Sequence, residues 1–213
     1  MTAATRHLAR VDPRLGQFMA RTGPLPPRDY GYHDLYRALI FSVSHQQIHA
    51  KAANAILGRL KSACGGEIPA PHDLLALPDT ALRNHGFSAS KTASLRDIAA
   101  KALDGTIPSP DQAHKMTDEE LIKRLTTTRG VGRWTVEMLL IFTLKRPDVF
   151  PVDDFGVREG YRLIHQLEEQ PKPKILREIG LSYKPYSTIA SLYFWHAAGE
   201  AKTKKPPPES IVI

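Results

Sequence analysis

The chain has 213 residues, 42% of them apolar, with 29 Lys and Arg against 22 Asp and Glu and a net charge of +7. That length makes one large domain or two small ones, and the basic balance favours a polyanion partner, nucleic acid being the commonest. A single cysteine, Cys64, excludes an intrachain disulfide, a cysteine-ligated cluster and a four-cysteine zinc site. No segment approaches a membrane span and no signal-type apolar run opens the chain, so a soluble, cytoplasmic and nucleoid-associated protein is expected.

In chain order, residues 1–12 are polar and read as loosely held. Asp12-Pro13 is an N-cap followed by a first-turn proline and opens a short helix to about Arg21. Gly23 to Pro27 cannot continue it. Asp34 caps a helix running towards Val43. A turn, Ser44-His45-Gln46-Gln47, separates it from a second helix in which Ile48, Ala52, Ala55, Ile56 and Leu60 recur at helical spacing. Gly65-Gly66 ends that helix. Leu74 to Leu77 and Leu82 mark two short helices, the second stopped by Gly86. Ser88 caps a longer run to Leu103, and Ser109-Pro110 opens another short one.

Thr117-Asp118-Glu119-Glu120 is a capping box that starts the helix of Leu121, Ile122 and Leu125. Gly130-Val131-Gly132 follows as a turn, then an almost wholly apolar helix from Trp134 to Leu144. Asp153 and Asp154 precede a helix through Val157, Tyr161 and Ile164. Pro185 opens the last helix, and from Lys202 the sequence is polar and proline-rich. No strand with period-two alternation and a hairpin turn is found. The fold class is therefore all-α. The segment Leu82…Gly86-Phe87-Ser88…Leu95 echoes the helix–glycine turn–helix around Gly130, as a second hairpin or as a common C-cap glycine.

Two glycines flanking one residue free the backbone for φ > 0 and for close approach to another surface. The unpaired amides that open the next helix then make an anion site, strengthened by the helix dipole. A phosphodiester fits there without sequence readout, although a tight structural turn explains the same pattern. His45 and His49 sit four apart, but a metalloprotease pair needs Glu where Gln46 stands, and no other His or Cys pattern completes a site, so no metal is assigned.

Gly130-Val131-Gly132-Arg133-Trp134-Thr135-Val136-Glu137-Met138, Arg146-Pro147-Asp148-Val149 and Pro151-Val152-Asp153-Asp154 resemble the 3-methyladenine DNA glycosylase II (AlkA-type) family of the helix–hairpin–helix–Gly/Pro–Asp superfamily. So do Ser44 to Ala53 and Gly86 to Lys91. The resemblance covers about residues 30–200. It implies two helical subdomains with a cleft between them, one from residues 1–29 plus 146–200 and one from 30–145, with 201–213 a disordered tail. It implies a monomer that excises alkylated purines of the 3-methyladenine and 7-methylguanine type from duplex DNA. A non-catalytic hairpin DNA-binding protein, or a glycosylase for deaminated or oxidised bases, is the alternative.

The family's catalytic Asp maps to Asp154, with Asp153 the second choice and a candidate helix cap. Bifunctional members carry a lysine nucleophile directly after G-x-G-x; Trp134 stands there, so no Schiff base and no lyase activity are expected. The iron–sulfur cluster of other members needs four cysteines. No cofactor is implied beyond a monovalent cation that family members can hold at the hairpin. Trp134, Trp195, Met138 and Tyr193 are implied to line the base pocket, Met138 standing where some relatives have a tyrosine. Aromatic faces attract cationic bases by about 0.5–2 kcal/mol per contact. Gln46 and Gln47 are candidates to fill the gap left by the flipped nucleotide, and His49 to contact the minor groove. Lys51, Lys91, Arg129, Gly130, Val131, Gly132 and Arg133 are the implied DNA-backbone contacts.

Overall fold

Capping residues set most of the helix starts. The computed structural model describes residues 2–26 and 31–204, and among these it contains thirteen α-helices, one 3-10 turn and no strand. They are α1 (Ala3–Val11), α2 (Pro13–Thr22), α3 (Leu35–His45), α4 (Ala50–Ala63), α5 (Pro71–Ala76), α6 (Asp79–Asn84), α7 (Ala89–Leu103), α8 (Pro110–Lys115), α9 (Asp118–Leu125), α10 (Arg133–Phe142), α11 (Phe155–His165), α12 (Pro173–Gly180) and α13 (Ser187–Lys204), with the 3-10 turn at Leu181–Tyr183. Asp12, Asp34, Ser88, Ser109 and Thr117 each accept from an amide of the helix they open, as their sequence positions require.

The chain divides into two compact units, one of Met1–Pro27 with Arg146–Ile213 and one of Arg28–Lys145. In the first, α11 packs on α13. A Cβ at Gly160 would lie 1.8 Å from the Phe194 carbonyl oxygen, so only glycine lets these helices approach so closely. Leu8, Leu15, Val157, Leu176, Tyr183 and Phe194 form the core there. In the second, α3 packs on α4, α7 and α10. Residues Thr135 to Phe142 of α10 are all buried, the outcome expected of a helix apolar on every side.

Several boundaries differ from the sequence reading. Residues 2–12 are not loose: Thr2 caps α1, and Leu8 is fully buried. Helix α12 was not foreseen. The apolar helix starts at Arg133 and the last one at Ser187. Residues 201–204 of the expected tail continue α13, and the remainder of that segment lies outside the described residues. No helix of the described residues is long and apolar enough to cross a membrane.

Candidate nucleic-acid interface and active site

In the second unit the turn between α9 and α10 uses its two glycines differently. Gly130 has φ 76°, and a Cβ there would meet Ser94 Oγ at 2.7 Å, so both conformation and space demand glycine. Gly132 has an ordinary φ of −97°, and nothing lies within 4 Å of where its Cβ would be. It is the N-cap of α10, and no side chain caps that helix. The α10 amides thus start from bare backbone, the arrangement that receives an anion.

The rest of the turn is braced from α7. The Arg129 amide donates to Asp97 Oδ2 at 2.7 Å, Asp97 pairs with Lys101 at 3.0 Å, and Lys101 also donates to the Thr127 carbonyl. The Val131 amide donates to Thr128 O at 3.1 Å. Arg129 is exposed, whereas Arg133 holds Glu119 through both terminal nitrogens (2.5 and 3.2 Å) and Glu137 through Nε at 3.1 Å. A monovalent cation at this turn would be held by backbone carbonyl oxygens, of which Thr127 O already faces the Lys101 ammonium and Gly130 O the Gln46 amide. Such hard oxygen donors suit it, and no cluster of metal-ligating side chains occurs among the described residues. Bound there, it would add positive charge beside the amides.

The α3–α4 turn is held at three points. Lys91 Nζ donates to the Ser44 carbonyl at 2.7 Å, and burial lowers the pKa of its ammonium from the ordinary value. His45 bonds Asn54 Oδ1 through Nε2 at 2.8 Å. Gln46 Nε2 donates to the Gly130 carbonyl at 2.9 Å, joining this turn to the hairpin. Gln47 then stands exposed with φ 56°, an uncommon conformation for a residue with a side chain. His49 Nδ1 accepts from the Lys51 amide at 3.2 Å, which leaves Nε2 as the N–H donor. Beside the turn a cavity of about 410 Å³ is lined by Phe41, Ser42, His45, Gln46, Gln47, Trp134, Thr135 and Met138. Met138 is buried and Trp134 is 47% exposed.

In the first unit Asp154, not Asp153, is the N-cap of α11. Its Oδ1 accepts from the Val157 amide at 2.8 Å and from Trp195 Nε1 at 2.7 Å. These two donors fix the carboxylate's direction; Asp153 is exposed. The strap leading to Asp154 is pinned to α13. Thr188 Oγ1 donates to Arg146 O and accepts from Val149 N, Ser191 Oγ donates to Val149 O, and Ser187 Oγ donates to Asp148 Oδ1. Gly156 makes room for the indole: a Cβ there would fall 2.7 Å from Trp195 Cδ1 and 3.1 Å from Asp154 Oδ1.

The expected residues thus fall into groups. Trp134, Met138, Gln46 and Gln47 share one cavity, and Trp195 meets Asp154. Tyr193 is instead a core residue: it is buried, its hydroxyl donates to the Gly23 carbonyl at 3.0 Å, and its ring meets Phe18 edge-on. Two residues before Trp195, it lies on nearly the opposite side of α13, in the packed core. Lys91 is turned inward onto Ser44, and Arg133, although exposed, is held by two carboxylates. Lys51 is exposed. Sequence reasoning missed Gly156 and Asp97, because a glycine two residues after an Asp and an Asp inside a helix carry no local signal.

A bare helix N-terminus after a glycine hairpin offers unpaired amides of the kind an anion accepts from, and some twenty residues on the chain fixes a carboxylate with an indole. That defines a helix–hairpin–helix protein of the DNA repair class. The chain belongs to the HhH-GPD superfamily of base excision DNA repair proteins, whose family model matches residues 40–185. It is 39% identical over 208 residues to DNA-3-methyladenine glycosylase 1 of Schizosaccharomyces pombe, covering 97% of this chain and 91% of that protein. Among solved structures, S. pombe 3-methyladenine DNA glycosylase (Mag1) in complex with abasic DNA matches with a TM-score of 0.82 at 40% identity, over 91% of this chain and 95% of that one. The DNA-3-methyladenine glycosidase of Bacillus halodurans matches with a TM-score of 0.86 at 30% identity, over 95% and 92% of the two chains.

Proposed function

We propose that this protein is a monofunctional DNA glycosylase that hydrolyses the N-glycosidic bond of alkylated purines in duplex DNA and so initiates base excision repair. The observation that carries this is Asp154, aimed by the Val157 amide and the Trp195 indole at 2.8 and 2.7 Å. The names of its relatives support the substrate class.

The α10 amides at Gly132 and beyond hold a phosphate of the damaged strand, with Arg129 and Lys51 as outer cationic partners. Gln47 fills the gap left by the flipped nucleotide, because Gln46 is already committed to Gly130. The His49 Nε2–H suits the acceptors of the minor groove. The cavity beside Trp134 and Met138 receives the base, and the electron-rich indole face attracts its positive charge. Asp154 then stabilises the positive charge that develops on the deoxyribose as the C–N bond breaks. The bonding pair leaves with the cationic base, which departs neutral; water adds to the anomeric carbon and gives up a proton. A cationic base is already a good leaving group, so few base-specific hydrogen bonds are needed. Trp134 supplies no amine, so no covalent sugar–enzyme imine forms. The protein acts as a monomer, in the cytoplasm at the nucleoid.

Asp154→Asn is expected to lower release of methylated purines from alkylated DNA by on the order of 10²–10³-fold, the scale for losing one electrostatic group in an active site. Affinity for the same duplex should stay within about three-fold, since the hairpin is untouched. A wild type that binds but releases no base would make this a binding module instead. Borohydride should trap no adduct with DNA; a trapped adduct would overturn the monofunctional reading.

A further inference from the structure

The cavity beside α3 and α10 contains one titratable lining residue, His45, and the chemistry of Asp154 leaves it without a task. His45 ends α3 and completes a ladder of three rings: Tyr32 lies 5.3 Å from Phe41, and Phe41 lies 4.0 Å from His45, tilted by 35°. Both ring nitrogens are engaged. Nδ1 faces the Phe41 carbonyl at 2.9 Å, an obligate acceptor, so it carries a hydrogen in either charge state. Nε2 faces the Asn54 side-chain amide at 2.8 Å. That amide can turn its NH₂ towards a neutral imidazole or its oxygen towards a protonated one. The ring therefore gains or loses its proton without losing a hydrogen bond.

The charged and titratable groups nearest it lie on the neighbouring elements. Lys91 on α7 is bound to Ser44 O, Lys51 and His49 open α4, Arg133 and Glu137 on α10 pair with each other, and Tyr32 has Glu67 nearby. With its edge spent, His45 can offer the cavity only its face and its charge.

We propose that His45 is a specificity-determining residue that reads the charge of the base in the pocket. A neutral imidazole adds an aromatic wall for a cationic alkylated purine, while an imidazolium repels that cation. The inference rests on the glycosylase reading above. The bound substrate carries the positive charge and the base loses it as the bond breaks, so the repulsion raises KM and is relieved in the transition state.

The test measures kcat/KM and kcat for 7-methylguanine release at pH 8 and pH 5.5 by wild type, His45→Phe and His45→Gln, the last preserving polarity in case the first fails to fold. Lowering the pH through the range in which histidine titrates should raise wild-type KM by on the order of ten-fold more than that of either variant, while wild-type kcat does not fall relative to the variants. Affinity for an abasic duplex, which puts no base in the cavity, should follow one pH course in all three proteins. A wild-type-to-variant quotient of KM for 7-methylguanine that is level with pH overturns the proposal, as does an equal fall in abasic-site affinity. If the wild type releases 7-methylguanine but the quotient stays level, only this inference fails; if it releases none at any pH, the glycosylase reading fails with it.

Discussion

Gly132 and Gly130 separate two reasons for a glycine. Gly130 is required by the fold: its φ is positive and Ser94 fills the space of a Cβ. Gly132 is required by nothing inside the protein. A bare position at the start of α10 makes sense if another molecule's surface comes close. Gly132→Ala should leave stability within about 0.5 kcal/mol, as a surface change does. It should weaken duplex affinity by on the order of ten-fold. Gly130→Ala should instead cost about 1–3 kcal/mol through backbone strain. Equal DNA affinity in Gly132→Ala and wild type, by titration of a labelled duplex, would remove the phosphate role. Gly156→Ala tests the setting of the Asp154 carboxylate. The added methyl meets the Trp195 ring at 2.7 Å, so the indole must move away from Asp154 Oδ1. Base release should drop about ten-fold or more, against a stability loss of about 1–2 kcal/mol from overpacking. An unchanged rate would show that Trp195 does not position the carboxylate. The pattern Asp-Phe-Gly gives no hint of this, since the demand for glycine comes from a side chain 39 positions further on.

Among the elements, the α3–α4 turn joins the hairpin to the cavity beside Trp134. Gln46 is tied to the hairpin carbonyl and Gln47 is held at positive φ at its tip. The pair therefore divides into a tethered residue and an exposed tip, which sequence alone left undivided. Gln47→Ala should lower base release from duplex DNA about ten-fold and leave release from single-stranded DNA nearly unchanged, because only a duplex has a gap to fill. Equal losses on both substrates would count against it. Helices whose start carries a cap and whose interior carries spaced apolar residues were legible: Ser88 and Thr117 open α7 and α9 as read. Helices α1 and α12 were not. Each is short, with Ala4 and Leu8 or Leu176 and Gly180 as its buried residues. Two contacts do not make a period, and isolated helices of that length are marginal in water. They form because the first unit supplies the surface they cover. The Asp-pair assignment shows a similar limit, since either Asp153 or Asp154 could cap α11 until the helix start was placed.

At the scale of the molecule, distant parts of the chain close the first unit through one buried carboxylate. Asp12 is 8% exposed, and it accepts from the Leu15 amide at 3.0 Å, His165 Nε2 at 3.1 Å and Tyr183 Oη at 2.7 Å. His165 stacks on Tyr161 at 3.8 Å, and its Nδ1 faces the Tyr161 carbonyl at 3.0 Å, so the ring is fixed from both sides. The sequence showed Asp12 only as a helix cap; partners 153 and 171 positions away were not readable. Burial pushes the Asp12 carboxyl up, but the hydrogen bonds from His165, Leu15 and Tyr183 and the charge of His165 outweigh it. The pKa ends below the ordinary 3.8. A depressed carboxyl contributes stability that is present above its unfolded-state value and is lost as pH falls through its folded-state value. Asp12→Asn should therefore destabilise the protein at pH 7 by about 3 kcal/mol, the order for breaking a buried charged pair. The gap in melting temperature between wild type and variant should hold steady from pH 7 to 5 and narrow below about pH 4, where the unfolded wild type begins to bind the extra proton. Denaturation at fixed ionic strength across that range separates this from a packing role. A gap of constant size down to the lowest measurable pH would mean that Asp12 contributes shape and hydrogen bonds that Asn cannot match, and not its charge.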